Sequence, residues 1–251
     1  MNSLHSDTYL LQSYDTDCSQ RARITSLCNF FQESAWKHAH SMGLGWSHLD
    51  ERGELWVLSR LDLHVVELPR WRDMITLTTW ACGVEKLFAL RDFRITAEDG
   101  KELVLGTTSW LVIDTATRRP KRMSEIAEGM IIHTADRALG RNAERLNFTL
   151  EGMPKRAYEV GFSDIDMNNH VNNVTYLRWA LDSFELPFLK EHRVTDLSIN
   201  FLAEALYGDT VSVTVSPPAV SGGPYKIRLF RSGGKTEGII EVARAACGFA
   251  P

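Results

Sequence analysis

Asp164-Ile-Asp-Met-Asn-Asn-His-Val-Asn-Asn173, running straight into Val174-Thr-Tyr-Leu-Arg-Trp-Ala-Leu-Asp-Ser-Phe184, decides how the chain is read. Val174, Leu177, Leu181 and Phe184 recur at helical spacing, so the second piece predicts an amphipathic helix. Pro187 marks its expected end. Asn172 and Asn173 stand where an N-cap belongs, because an Asn side chain can accept from an unpaired N–H of the first turn. The first piece is poor in helix formers and reads as extended or looped. If extended, Asp166, Asn168 and His170 project to one side. Three polar groups then converge beside the positive end of a helix. Asn and Asp are also ordinary turn residues, so a plain capped loop is the competing reading. The rest of the chain argues against it.

Working outward, a second helix is expected over Ser26–Met42. Ser26 is its candidate cap, Leu27, Phe30, Phe31, Ala35, Ala39 and Met42 lie near one face, and Gly43 follows the last turn. An opening strand is expected over Tyr9–Tyr14. Strand-like runs follow at Trp56–Val66, Asp73–Val84, Phe88–Ala97 and Leu103–Asp114, with Glu98-Asp-Gly-Lys101 as a hairpin turn. After the quoted helix come further runs at Val194–Phe201, Thr210–Val215, Lys226–Arg231 and Gly238–Ala246, separated by turn signals at Pro217-Pro218, Ser221-Gly-Gly-Pro224 and Gly233-Gly234. One helix followed by strands, twice over, is an α+β arrangement with antiparallel sheets, not alternating βαβ units.

The halves also align without gaps over part of their length. At an offset of 136 positions Leu61 meets Leu197, Leu63 meets Ile199, Trp71 meets Tyr207, Asp73 meets Asp209, and Thr76-Leu-Thr78 meets Ser212-Val-Thr214. The expected domains are 1–145 and 146–251, with a polar linker between Arg118 and Asn147. At the same offset Glu204 faces Leu68, and nothing in the first half resembles Asp-x-Asn-x-His-Val-Asn-Asn. A duplicated fold with one surviving site is the simplest reading.

Composition narrows the function. The 251 residues are 44% hydrophobic and 24% charged with a formal net charge of −4. That is a globular chain with no electrostatic case for nucleic acid. Four cysteines without CxxC spacing suit free thiols. The first residues carry no basic n-region and no apolar core, and nothing approaches a membrane-spanning apolar run. A cytoplasmic protein with no membrane span is expected. His38-Ala-His40 lies at i, i+2 on a helix, which turns the rings apart, so no metal is implied. Gly222-Gly223 and Gly233-Gly234 lack the Lys-Ser/Thr of a phosphate loop. Trp46, Trp56, Trp71, Trp80, Trp110 and Phe88 are read as core.

The quoted stretch, extended to Val-x-Tyr-x-x-Trp179, resembles the signature of the acyl-ACP thioesterases, the family of the plant plastid enzymes and their bacterial relatives. Asn29-Phe-Phe-Gln-Glu-Ser-Ala35, Trp56-Val-Leu-Ser-Arg60, Pro69-Arg-Trp-Arg-Asp73, Arg91-Asp-Phe93, Ser109-Trp-Leu-Val-Ile113, Thr117-Arg-Arg-Pro120 and Ile199-Asn-Phe-Leu-Ala-Glu204 are similar to other segments of that family. The resemblance implies a tandem hotdog fold, two antiparallel sheets each wrapping a long helix and packed as a pseudo-dimer. The first domain would lack the catalytic motif and wall the acyl pocket. The implied catalytic residues are Asp166, Asn168, His170 and Glu204. Where plant members often have a cysteine after that glutamate, this chain has Ala205, which excludes a thiol nucleophile there. The implied activity is hydrolysis of fatty acyl-ACP to free fatty acid and holo-ACP. No cofactor is implied, since the substrate carries its own phosphopantetheine. An acyl-CoA thioesterase and a non-catalytic acyl-carrier binding protein are the alternatives.

For the chemistry, one carboxylate of Asp166 and Glu204 would activate water and the other would orient the amide or imidazole. His170 could act as base or orienter. Asn168 and the helix N-terminus could stabilise an oxyanion. A covalent route through Asp166 stays open. The basic cluster Arg118, Arg119, Lys121, Arg122 is the candidate docking site for the acidic carrier protein or its phosphate. Either a monomer or a homodimer fits a tandem arrangement.

Overall fold

The computed structural model describes residues 3–150, 153–233 and 238–251. It divides into two compact units, Met1–Ala143 and Glu144–Pro251.

The first unit contains β1 (His5–Leu10), α1 (Ile24–Ser41), α2 (Trp46–Asp50), β2 (Glu54–Val65), β3 (Met74–Glu85), β4 (Phe88–Ala97) and β5 (Glu102–Asp114). Its strands lie in the order β1-β3-β4-β5-β2, each pair antiparallel. Helix α1 buries Leu27, Phe31, Ser34, Ala35 and His38, one stripe of its surface, toward the unit's core. Phe31 stacks on Phe93 of β4 at 4.3 Å. That approach requires Gly106 on β5, where a Cβ would meet Phe31 Cε2 at 2.7 Å and Leu63 Cδ2 at 3.0 Å. Ser26 is not the cap of α1. The helix begins two residues earlier, behind Arg23, and Ser26 is buried in its first turn. Gly43 follows the C-terminus at φ +73° with its N–H on the His40 carbonyl, as its position predicts.

The second unit contains β6 (Arg156–Glu159), α3 (Asn173–Leu181), α4 (Leu186–Glu191), β7 (Arg193–Phe201), β8 (Thr210–Ser216), β9 (Tyr225–Ser232) and β10 (Ile240–Ala250). Its order is β7-β10-β9-β8-β6, again antiparallel throughout. Strand for strand, β6 to β10 repeat the connectivity of β1 to β5. Each unit is thus a hotdog, a helix laid on an antiparallel sheet, and the chain is a double hotdog. Pro187 does not end α3. It sits in the first turn of α4, where its missing N–H costs nothing.

The opening strand is β1, His5–Leu10, and residues Ser13–Asp15 form a 3-10 turn instead of strand. The turn expected at Gly233-Gly234 falls partly outside the described residues. The supposed linker is largely structure of the first unit. Ile132 bridges Ala81, and the Trp80 indole donates to the Asp136 carbonyl. Arg137 Nε donates to Asp92 Oδ2 at 2.8 Å, and Arg141 pairs with Asp62. Asp62 and Asp92 are fully buried on strands β2 and β4. A buried carboxylate needs such partners, so these arginines are structural. Of the expected core tryptophans Trp80 is buried, whereas Trp46 and Trp71 are exposed. His38 faces Arg91 Nη1 at 3.0 Å, and His40 stacks on Trp36, so the two rings do part.

In the second unit Glu241 takes paired hydrogen bonds from two guanidiniums. Arg228 donates at 2.8 and 2.6 Å, Arg244 at 2.9 and 2.7 Å. Burial pushes the carboxyl up, but the two arginines outweigh it, and the pKa falls from 4.5 to about 2. A depressed carboxylate stabilises the fold above its unfolded pKa and ceases to do so as pH falls through its folded one. Glu241→Gln is therefore expected to lose about 3 kcal/mol at neutral pH. The difference from wild type in urea denaturation should close as pH drops from 4.5 toward about 2.

Candidate active site

The motif is not extended. A 3-10 turn, Phe162–Asp164, leads into a tight loop closed by a bridge between Ile165 and Val171. Asp166 N–H donates to the His170 carbonyl at 2.9 Å, and Asn169 N–H donates to the Asp166 carbonyl at 3.0 Å. Asn169 takes the left-handed conformation at φ +62°, which Asn tolerates better than most residues. Asp166 Oδ1 accepts the N–H of Asn168 at 2.8 Å, an Asx turn across the loop tip. Asp164, buried below, accepts Gly161 N–H at 2.9 Å and pairs with Arg178 of α3.

Alternation therefore does not align Asp166, Asn168 and His170. The loop instead turns back so that His170 meets the strand end. His170 Nε2 lies 3.1 Å from Glu204 Oε2, with the imidazole 24% and the carboxylate 40% exposed. This pair is reachable by substrate and water, yet both groups are held. Val171 N–H donates to the Ala205 carbonyl at 3.0 Å, which fastens the residue after His170 to the residue after Glu204. Ala205 N–H donates to the Tyr176 hydroxyl at 2.9 Å. Tyr176 is a site residue that pattern reading had left as part of a helix. Its signal was its position in the family motif.

Helix α3 begins as expected, with Asn172 Oδ1 accepting Val174 N–H at 2.9 Å. That bond alters the oxyanion argument. Val174 N–H is taken by the Asn172 side chain, and Thr175 N–H by the Asn172 carbonyl at 2.9 Å. The first-turn donors are largely used, which weakens the helix N-terminus as an oxyanion site.

The first unit contains the same loop, against expectation. Gln12 N–H donates to Asp15 Oδ2 at 3.0 Å, Asp17 N–H to the Arg21 carbonyl at 2.8 Å, and Ser19 N–H to Asp17 Oδ1 at 2.7 Å. Gln20, at φ +61°, stands where Asn169 stands. Thr16 bridges Ala22, and Ala22 N–H donates to the Pro69 carbonyl at 2.7 Å. Downstream, Asp73 and Asp209 each close an equivalent bend, accepting Arg70 N–H at 2.7 Å and Leu206 N–H at 2.9 Å. Only the side chains differ. Ser19, Arg21 and Leu68 occupy the places of Asn168, His170 and Glu204, while Asp17 keeps that of Asp166.

Among the described residues no group of three or more His, Cys, Asp or Glu side chains could hold a metal ion. Among them, too, no helix is long and apolar enough to cross a membrane.

The acyl-ACP thioesterase N-terminal domain matches residues 2–130, and the acyl-ACP thioesterase C-terminal domain matches residues 149–241. A palmitoyl-acyl carrier protein thioesterase of Gossypium hirsutum is 30% identical over 79% of this chain and 51% of its own length. An oleoyl-acyl carrier protein thioesterase of Arabidopsis thaliana is 24% identical over 84% of this chain and 63% of its own. The chain thus spans roughly half to two thirds of the length of these curated relatives. The crystal structure of an acyl-ACP thioesterase from Bacteroides thetaiotaomicron superposes with a TM-score of 0.87 at 26% identity, over 99% of this chain and 98% of that one. With both domain families matched in order and the double hotdog in place, this chain belongs to the acyl-ACP thioesterase family.

Proposed function

We propose that this protein hydrolyses the thioester of fatty acyl-ACP, releasing free fatty acid and the carrier protein with its phosphopantetheine thiol. The observation that carries the proposal is the His170–Glu204 pair, 3.1 Å apart on a loop fastened to its strand. A helix cap needs only Asn172, so a merely capped loop gives no reason for that pair. Membership of the family and the names of the cotton and Bacteroides proteins support the carrier-bound substrate.

In this reading the Glu204–His170 pair takes a proton from water as the water oxygen bonds to the thioester carbonyl carbon. The Asn168 amide donates to the carbonyl oxygen as charge builds there. The C–S bond then breaks and the thiolate leaves with the proton returned from the pair. Asp166 holds the loop. Its Oδ1 makes the same bond to the backbone that Asp17 makes where the histidine and glutamate are absent. The first unit has Arg21 and Leu68 in those places and takes no part in the chemistry.

The carrier protein docks on Arg118, Arg119 and Arg122, which are exposed. Lys121 is a poorer contributor, since its Nζ is held by Glu54 Oε1 at 2.7 Å. Charge reversal of the three arginines is expected to raise KM for acyl-ACP about 10-fold and to flatten its salt dependence. Turnover of a short acyl-thiol substrate should be unchanged. The direct test is hydrolysis of carrier-bound and CoA-bound acyl chains over a range of lengths. Preference for the carrier-bound chains is expected. Faster turnover of the CoA esters would overturn the carrier assignment, and turnover of neither would leave a binding protein.

A further inference from the structure

The Ala205 peptide joins the two halves of the proposed site. Its carbonyl accepts from Val171, next to His170, and its N–H, on the Glu204 side, donates to Tyr176 Oη at 2.9 Å. Ala205 is fully buried, so its N–H needs a protein acceptor. Tyr176 sits on α3 at 3% exposure, its ring edge-on to Trp179 and Phe201 at 5.6 and 6.0 Å. Those contacts hold the hydroxyl in place. Burial above all, with the charge of Glu204 beside it, pushes the phenol up, and the Ala205 N–H only partly opposes this. The hydroxyl keeps its proton at neutral pH. It can accept from Ala205 and still donate.

The first unit builds the same joint without that bond. Pro69 stands at the place of Ala205, and its carbonyl accepts Ala22 N–H as Ala205 accepts Val171 N–H. Proline has no N–H to satisfy. Leu27, fully buried, stands at the place of Tyr176 when the loops are superposed residue for residue. Leucine and proline therefore suffice for the backbone. The tyrosine and the N–H occur together in the unit that also carries His170 and Glu204.

Resting on the thioesterase reading above, we infer that Tyr176 is a positioning residue: it anchors the Glu204–Ala205 peptide so that Glu204 Oε2 stays within hydrogen-bond reach of His170 Nε2. Glu204 is 40% exposed on its side chain. Losing the anchor loosens the Glu204–Ala205 peptide, lets the carboxylate shift and opens the pair.

Tyr176→Phe keeps the ring and removes the acceptor. It is expected to lower kcat for acyl-ACP about 30-fold with KM changed less than about twofold. The nitrogen NMR shift of His170 Nε2, which reports its bond to Glu204, should move toward that of a free imidazole. Combining Tyr176→Phe with Ala205→Pro, the residue that the first unit has at that place, removes the unmatched N–H. The double variant should recover the wild-type Tm to within about 2 °C, with kcat and the His170 shift left at the single variant's values. Wild-type kcat with an unmoved His170 shift in the single variant would overturn the inference. So would recovery of kcat in the double variant, since the tyrosine would then merely satisfy a buried donor. The NMR shift needs no turnover. A wild-type protein without hydrolysis would therefore sink the thioesterase reading and still leave the role of Tyr176 decided by the shift.

Discussion

Glu204→Gln is expected to lower kcat for acyl-ACP hydrolysis by about 10³-fold, at the middle of the range for losing a general base. The substitution keeps size and polarity at a half-exposed position, so Tm should stay within about 2 °C of wild type. KM should change little, because the carboxylate acts on water and not on the acyl chain. His170→Asn should fall to a similar rate. Glu204→Gln with His170→Asn should be no slower than either alone, since two residues acting as one unit do not add. Steady-state kinetics with carrier-bound substrate checks all three. Near-wild-type kcat in Glu204→Gln would remove the pair from the chemistry. A stronger form copies the first unit. His170→Arg with Glu204→Leu should fold, because Arg21 and Leu68 occupy that backbone already, and should be inactive.

The second large effect separates structure from chemistry at Asp166. Asp17 and Asp166 make the same bond, each carboxylate accepting the N–H two residues on, at 2.7 and 2.8 Å. Asp17 also pairs with Arg21 at 3.4 Å. Losing such a loop-closing bond costs about 1 to 2 kcal/mol. Asp17→Ala and Asp166→Ala should each lose stability of that order in urea denaturation. Only Asp166→Ala should lose activity, by about 10²-fold, as the loop carrying His170 and Asn168 loosens. Asp166→Asn retains an oxygen for the N–H of Asn168 and should keep most of both. Single turnover in heavy-oxygen water offers the counter-test. Label on Asp166, or an inactive and fully stable Asp166→Asn, would restore the covalent route.

Much of the fold was legible because it follows from local pattern. The period of Val174, Leu177 and Leu181 gave the helix, with Val174 and Leu177 buried, Leu181 half-buried and Phe184 buried just past its end, and Phe88–Ala97 was bounded as a strand to the residue. Errors gathered where a local signal has two meanings. Pro187 can follow one helix or start the next, and Ser26 can cap a helix or lie buried in its first turn. Arg137 and Arg141 looked like solvated linker charge because their partners, Asp92 and Asp62, lie dozens of residues away.

The repeat shows where sequence comparison stops. Asp73 and Asp209 align at an offset of 136, and Leu68 against Glu204 follows from it. The site loop aligns at 149, as Asp17 against Asp166 shows. The first unit's longer helical segment, α1 with α2, lies between the two alignments and takes up the difference. An ungapped comparison therefore finds the strands and misses the twin loop. Only the shared hydrogen bonds reveal it, since Ser19, Gln20 and Arg21 have little in common with Asn168, Asn169 and His170.

By itself the sequence determined the tandem α+β architecture and the helix behind the motif, because periodicity and capping are local properties of the chain; the candidate site residues followed from the resemblance to a family. The tertiary structure decided which of those residues meet. His170 pairs with Glu204, Asp166 is tied to its own loop, and Tyr176 reaches Ala205. Those contacts span up to 34 residues of chain and depend on a bridge and two backbone bonds, Ile165 to Val171, Val171 to Ala205 and Asn172 to Asp164. A folded-back loop replaced the extended one because Asn169 can take positive φ and Asp166 can accept a backbone N–H. Alternation along a strand could not have placed the histidine against the glutamate.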